Sequence, residues 1–214
     1  MRVFVLGNGP SLAHVNLDNL TGIACATNRI HLLFPTTNWR PTYWIMADHN
    51  TKDEWPLDEI LAEDCKFLVR SDFASAFEPH RTRDNVEYFQ RCDAHDHMNV
   101  EQTGIPEEWH LPTYCRFGGG LFIAMQKAVL LGAKQIVLLG CDLYGPRGEE
   151  DTNHFDPAYC QRICTPEEYD RFNRTLIRAH ENAKRSCEKL GVEVLNASGG
   201  SLEVYPRVSL ESVL

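Results

Sequence analysis

Arg2-Val3-Phe4-Val5-Leu6-Gly7-Asn8-Gly9-Pro10-Ser11-Leu12 is the stretch on which the fold turns. Four apolar residues in a row, Val3 to Leu6, suit a strand buried on both faces, and the glycines directly after them suit a tight turn into a helix. Gly7 and Gly9 are free to take backbone angles closed to other residues or to let another group approach the main chain. Pro10 suits a first helical position, where no N–H is missed. Such a turn presents N–H groups and the positive end of a helix dipole above the strand, which favours a phosphate or another anion. A strand-to-helix turn with no ligand has the same residues, so position has to separate the two. Here the turn ends the first strand of the chain, the edge of an α/β sheet where ligands collect.

Two further strand candidates reach the same edge. Gly22 to Ala26 leads into Thr27-Asn28-Arg29, and Tyr43 to Ala47, after the breaker Pro41, leads into Asp48-His49-Asn50. Asn8, Asn28 and Asp48 would then stand along one rim. Each alone is equally a turn or cap residue, but their regular placement points to a shared site. Asp53 to Ala62 reads as helix, Lys66 to Val69 as a fourth strand and Val86 to Phe89 as a fifth. Residues 70–115 are otherwise irregular, proline-interrupted and rich in histidine, and are expected to form an insertion over the sheet.

A second glycine turn, Gly118-Gly119-Gly120, starts a helix with Leu121, Phe122, Met125, Ala128 and Val129 on its apolar face, ending near Gly132. The strand Gln135 to Leu139 follows and delivers Gly140-Cys141-Asp142-Leu143-Tyr144, so Asp142 and Tyr144 would join the rim. Residues 145–165 have the polar composition of a lid loop. Thr165, Pro166 and Glu168 then make a capping box. Tyr169, Phe172, Leu176, Ala179, Ala183, Cys187 and Leu190 form the expected buried stripe of that helix, with His180 off the stripe and solvated. Val192 to Leu195 is a last strand, followed by Asn196-Ala197-Ser198 at the site edge and a short capped helix near Ser209 to Val213.

The expected fold is a single α/β domain over residues 1–214, Rossmann-like, with a mainly parallel sheet, helices on both faces and a lid or insertion over the strand ends. The net charge of −9 argues against nucleic acid as a partner. No apolar run is long enough for a membrane span. The chain opens on a strand pattern rather than a signal peptide, and a cytoplasmic location is expected. Eight cysteines are scattered through predicted strands and helices, where thiols act as small hydrophobes. His154 with Cys160 and Cys164 lacks an evident fourth zinc ligand, and His95-Asp96-His97 is as well read as a solvated loop. A homo-oligomer is left open.

With those residues placed, the pattern resembles the bacterial family-42 sialyltransferases and a broader MptE-like group related to 6-hydroxymethylpterin diphosphokinase. The likeness lies in Gly7 to Leu12, in Asn28, in the block Gly118 through Tyr144 and in Asn196-Ala197-Ser198. For the sialyltransferases it implies that Asn8, Gly9, Ser11 and Asn28 bind a nucleotide, that the turn at Gly118, Gly119 and Gly120 meets its ribose and phosphate, and that Tyr144 holds the leaving phosphate. Where that family has Thr-Ser-Gly this chain has three glycines, and where it has an asparagine this chain has Asp48. A second loop tyrosine does not fall at that family's spacing, Tyr159 being the one substitute nearby.

The resulting expectation is a glycosyltransferase that moves a sugar from a nucleotide-activated donor to a small-molecule or glycan acceptor hydroxyl, with no tightly bound cofactor. His154 is the candidate general base, since histidine ordinarily titrates near neutrality, and Tyr144 its catalytic companion. Gly7, Asn8, Gly9, Pro10, Ser11, Asn28, Asp48, Gly118, Gly119, Gly120 and Asp142 make up the expected nucleotide site. Two alternatives stay open. One is an ATP-dependent pyrophosphokinase acting on a pterin-like heterocycle, with Mg²⁺ on Asp48 and Asp142; the other is a non-catalytic nucleotide-binding module.

Overall fold

The computed structural model describes residues 1–47, 56–80, 83–90, 109, 111–112, 114, 119–143, 153–159 and 165–214. Seven strands form one parallel sheet: β1 (Arg2–Leu6), β2 (Ile23–Thr27), β3 (Tyr43–Met46), β4 (Lys66–Arg70), β5 (Val86–Phe89), β6 (Gln135–Leu139) and β7 (Glu193–Asn196), in the order β5-β4-β3-β2-β1-β6-β7. The expected α/β fold with a parallel sheet is therefore present. The strand order runs outward in both directions from β1, so the switch point of the sheet lies between β1 and β6.

Alternate residues of each strand feed two cores. On one face Val3, Val5, Cys25, Ile45, Leu68, Ile136 and Leu138 pack beneath α2 (Gly120–Leu130) and α3 (Pro166–Lys189), α1 being the single turn Leu57–Ile60. On the other face Phe4, Leu6, Trp44, Met46, Phe67, Val69, Val137 and Leu139 lie beneath short 3-10 segments, including Pro10–His14, Ile30–Thr36 and Ser71–His80. Both faces are covered, and among the described residues the long helices lie on one of them. The expected helix over residues 53–62 is thus one described turn, because Pro56 opens it and Leu61 already closes it.

α2 is buried nearly all round, from Phe122 to Ala128, so its apolar face is wider than the stripe expected from Leu121, Met125 and Ala128. Lys127 is buried among these residues, and its Nζ donates to Glu87 Oε2 (2.6 Å) and lies 4.8 Å from the Tyr43 ring centre. The capping box of α3 forms as expected, with the Thr165 hydroxyl accepting from Glu168 N and Glu168 Oε2 accepting from Thr165 N.

The α3 stripe departs from expectation at both ends: Phe172 is 54% exposed and Leu190 47%. Ala179, Ala183 and Cys187 in the second half are the residues that meet the sheet, so the apolar period continues beyond the stretch that packs on it. His180 corrects a second expectation. Rather than being solvated it is 2% exposed, in ring contact with Phe122 (4.7 Å between centres) and beneath Tyr205. The chain after β7 folds back over α3, with Lys184 Nζ donating to Val204 O (3.1 Å), and buries the helix face that periodicity assigned to water.

Tyr205 donates its hydroxyl hydrogen to His180 O (3.0 Å), so His180 Nδ1, 3.1 Å from the same oxygen, is the donor in that contact. The imidazole is therefore neutral with the hydrogen on Nδ1. Burial lowers its pKa to about 3, and burial with the nearby Arg29 charge lowers that of His31 to about 4. Each group binds a proton more readily in the unfolded chain, so its contribution is full above about pH 6.5 and is lost as pH falls toward the folded-state value. Stability should fall between pH 6.5 and 4, His180 alone contributing on the order of 3 kcal/mol of that loss at about 1.4 kcal/mol per pH unit. Urea unfolding across this range should give a shallower pH slope for His180→Gln than for the unsubstituted protein; equal slopes would remove His180 as the source.

Candidate active site

The β1–β6 junction is built from main-chain contacts. Gly7 N donates to Leu139 O (2.8 Å) and Gly9 N to Gly140 O (2.8 Å), which extends the pairing past the strand ends. A Cβ on Gly7 would lie 2.5 Å from Gly140 O, and one on Gly9 would lie 2.8 Å from the same oxygen and overlap the Asp142 carboxylate. Gly9 has φ −70° and ψ 161°, an ordinary extended conformation. These glycines are accordingly set by the close approach of the β6 loop rather than by unusual backbone angles.

The residues after the turn form a five-residue 3-10 segment, Pro10–His14, with Pro10 at its start. Ser11 N donates to Asp142 Oδ2 (2.7 Å) and Ser11 Oγ to Asp142 Oδ1 (2.6 Å), and Asp142 is 3% exposed. The anion that the turn was expected to attract is here the chain's own carboxylate. Asp142, expected on the rim, is instead turned inward, where it meets the dipole end and the orphan N–H of the segment.

Asn8 and Asn28 do come together. The Asn8 side chain crosses to β2, its Nδ2 donating to Thr27 Oγ1 (2.9 Å) and Thr27 O (3.2 Å). Its Oδ1 is buried and has no donor among the described residues, a costly state for an amide acceptor unless a ligand supplies an N–H. Asn28 sits in the left-handed region (φ 48°), which asparagine tolerates better than most residues. That bend lets Asn28 N donate to Ile45 O (2.8 Å) and Asn28 O accept from Trp44 Nε1 (2.7 Å), while Oδ1 accepts from Ala47 N (3.3 Å).

The amino end of α2 abuts Asn28 and Thr27: a Cβ on Gly120 would stand 3.4 Å from Asn28 Nδ2, Asn28 Oδ1 and Thr27 Cβ. Gly119, at φ +94°, is its N-cap, and no side chain among the described residues caps the helix. The first turn of an eleven-residue helix, where main-chain N–H groups have no partner within the helix, thus lies beside the end of β2.

Residues 153–159 dock on the same strand ends. Phe155 N donates to Asn8 O (2.9 Å), and Arg29 Nη1 donates to Tyr159 O (2.6 Å). His154 is half-buried, with its ring 3.9 Å from that of Tyr159 and inclined by 9°. Arg29, whose guanidinium carbon lies 5.8 Å from the Tyr159 ring centre, was not singled out from the sequence, although its place directly after Asn28 put it at the strand end.

Asp48, Gly118 and Tyr144 lie outside the described residues, as do most of the insertion after Phe89 and residues 145–152 and 160–164 of the expected lid. Asn196 and Ser198, expected to face the site, are buried in the sheet end. Ser198 Oγ accepts from Cys141 N (2.9 Å), and Asn196 Nδ2 donates to Leu202 O (2.8 Å). Among the described residues no group of three or more His, Cys, Asp or Glu side chains is placed to hold a metal, and no helix is long and apolar enough to cross a membrane.

No protein-family model matches the chain, and no curated protein matches it in sequence. Among solved structures, a tyrosine-to-phenylalanine variant of the sialyltransferase CstII in complex with CMP is similar at 14% identity and a TM-score of 0.51, over 94% of this chain and 83% of that one. CstII from Campylobacter jejuni, in complex with a substrate analogue described as cytidine-5'-monophosphate, gives 14% identity and a TM-score of 0.49 over 94% and 81%. CstII with a trisaccharide acceptor and CMP gives 14% and 0.48 over 92% and 80%. The first of these likenesses establishes a sialyltransferase-like fold.

Proposed function

We propose that this protein is a glycosyltransferase that binds a nucleotide-activated sugar at the carboxyl ends of β1 and β2 and transfers the sugar to an acceptor hydroxyl. The observation that carries the reading is the buried Asn8 Oδ1 with no donor among the described residues, beside Asn28 and the amino end of α2. An acceptor of this kind suits an N–H of a nucleobase, and the α2 terminus suits a phosphate. His154, half-buried in the segment that Phe155 ties to Asn8, is the base. It takes the acceptor hydroxyl proton as the new sugar–oxygen bond forms and the bond to the nucleotide phosphate breaks. Donors at the strand ends stabilise the departing phosphate.

A sialyltransferase with a cytidine donor is the finer form of this reading, supported by the CMP complex of the similar fold. The Mg²⁺-dependent pyrophosphokinase fits less well, because Asp142 already gives both carboxylate oxygens to Ser11.

Calorimetry with CMP, UMP, GMP and AMP, each with and without Mg²⁺, tests the reading. CMP should bind without a metal requirement. Asn8→Ala and Asn28→Ala should each lose about 1.5–3 kcal/mol, or roughly 10- to 150-fold in affinity. Unchanged affinity in both variants would remove the site, and binding of AMP only with Mg²⁺ would favour the pyrophosphokinase.

A further inference from the structure

The base assigned to His154 has to hold a lone pair in a fixed direction, yet it sits on a loop. The segment carrying it is tethered to two neighbouring strands: Phe155 N donates to Asn8 O at the end of β1, and Tyr159 O accepts from Arg29 Nη1 at the end of β2. Between the tethers Asp156 closes a tight turn, its Oδ1 accepting from Ala158 N (2.7 Å) and its main-chain O from Tyr159 N (3.0 Å). That turn returns the Tyr159 ring onto the His154 ring at 3.9 Å and 9°. Tyr159 is 4% exposed, with Phe155 edge-on to it at 6.0 Å. A face-on contact of this kind restricts the tilt of the imidazole plane.

We propose that Tyr159, anchored by Arg29, is the positioning residue that fixes the imidazole plane of His154 for proton transfer. This role rests on the assignment of His154 as base. Tyr159 acts through its ring, so its hydroxyl is dispensable, and it affects the chemical step rather than nucleotide binding. A displacement of about 1 Å in a reacting group costs up to about 100-fold in rate.

The test combines proton NMR of His154, assigned by its loss in His154→Asn, with CMP titration and transfer kinetics using CMP-sialic acid. In Tyr159→Leu the His154 ring protons should move downfield as the tyrosine ring current is lost. The kcat should fall about 10- to 100-fold with the donor KM and CMP affinity unchanged. Tyr159→Phe should keep the ring shifts and recover most of the turnover. Should Tyr159→Leu not fold, as judged by circular dichroism, Arg29→Gln carries the same readouts with a smaller kcat loss.

Ring protons that do not move, a KM that rises in step with any kcat loss, or a Tyr159→Phe as impaired as Tyr159→Leu would overturn the role. If the unsubstituted protein neither binds CMP nor transfers sialic acid while the ring shifts still respond to Tyr159→Leu, the transferase reading has failed. The stack is then a packing contact only.

Discussion

Gly200→Ala is expected to lower the unfolding free energy by about 2–5 kcal/mol, a large part of the 5–15 kcal/mol typical of a folded domain. Two independent penalties meet there. Gly200 lies at φ +70°, where an L side chain is strained by about 1–2 kcal/mol. A Cβ would also stand 2.6 Å from both Asp142 Cα and C and overlap Asp142 O. Those atoms are backbone, and Ser201 N already donates to Asp142 O (2.7 Å), so neither side yields without breaking that bond. Overpacking of this kind adds about 1–3 kcal/mol. Gly22→Ala is the control: it has a comparable positive φ of +99° and nothing within 4 Å, so it should lose only about 1 kcal/mol. Urea denaturation of both variants measures the difference, and equal midpoints would show that the loop moves away from Asp142 at little cost.

His154→Asn should cut transfer by about 10²–10⁴-fold while leaving CMP affinity within experimental scatter. Asparagine retains a polar side chain at the tether between Asn8 and Tyr159 but accepts a proton poorly. The Phe155 N bond to Asn8 O is a main-chain contact and survives the change, so docking of the segment is preserved and the loss falls on the chemical step. Steady-state kinetics on CMP-sialic acid, with calorimetry on the same preparation, separates the two effects. Normal turnover would leave His154 as a packing residue, and weakened CMP binding with normal turnover would make it a nucleotide contact.

The strands were legible as short apolar runs, β1 and β6 closed by glycine and β2 by asparagine, and α3 because Thr165, Pro166 and Glu168 mark its start by local chemistry. Asn8 and Asn28 were legible as neighbours for the same reason: parallel strands of similar length end on one rim. What could not be read depended on partners far along the chain. Asp142 turns inward because Ser11, 131 residues earlier, offers it two donors. His180 is buried because Tyr205 returns over α3, whereas periodicity counts only residues on the helix itself. The helices of the second face, Pro10–His14 and Ile30–Thr36, are of 3-10 rather than α type, a tighter turn that short runs favour and that periodicity does not distinguish.

The place of β1 in the sheet bears on how the polypeptide is made. Its first neighbour, β2, is translated almost at once, but the other, β6, spans Gln135–Leu139. At roughly 5–20 residues per second the ribosome needs on the order of ten seconds to supply that strand. Throughout that interval one side of an apolar strand carries unpaired main-chain groups, the state in which edges recruit other chains. β1 is therefore fully enclosed only after a strand made much later in translation has joined it, and the yield of active protein should depend on elongation speed and on holdase chaperones acting before residue 140 has left the tunnel.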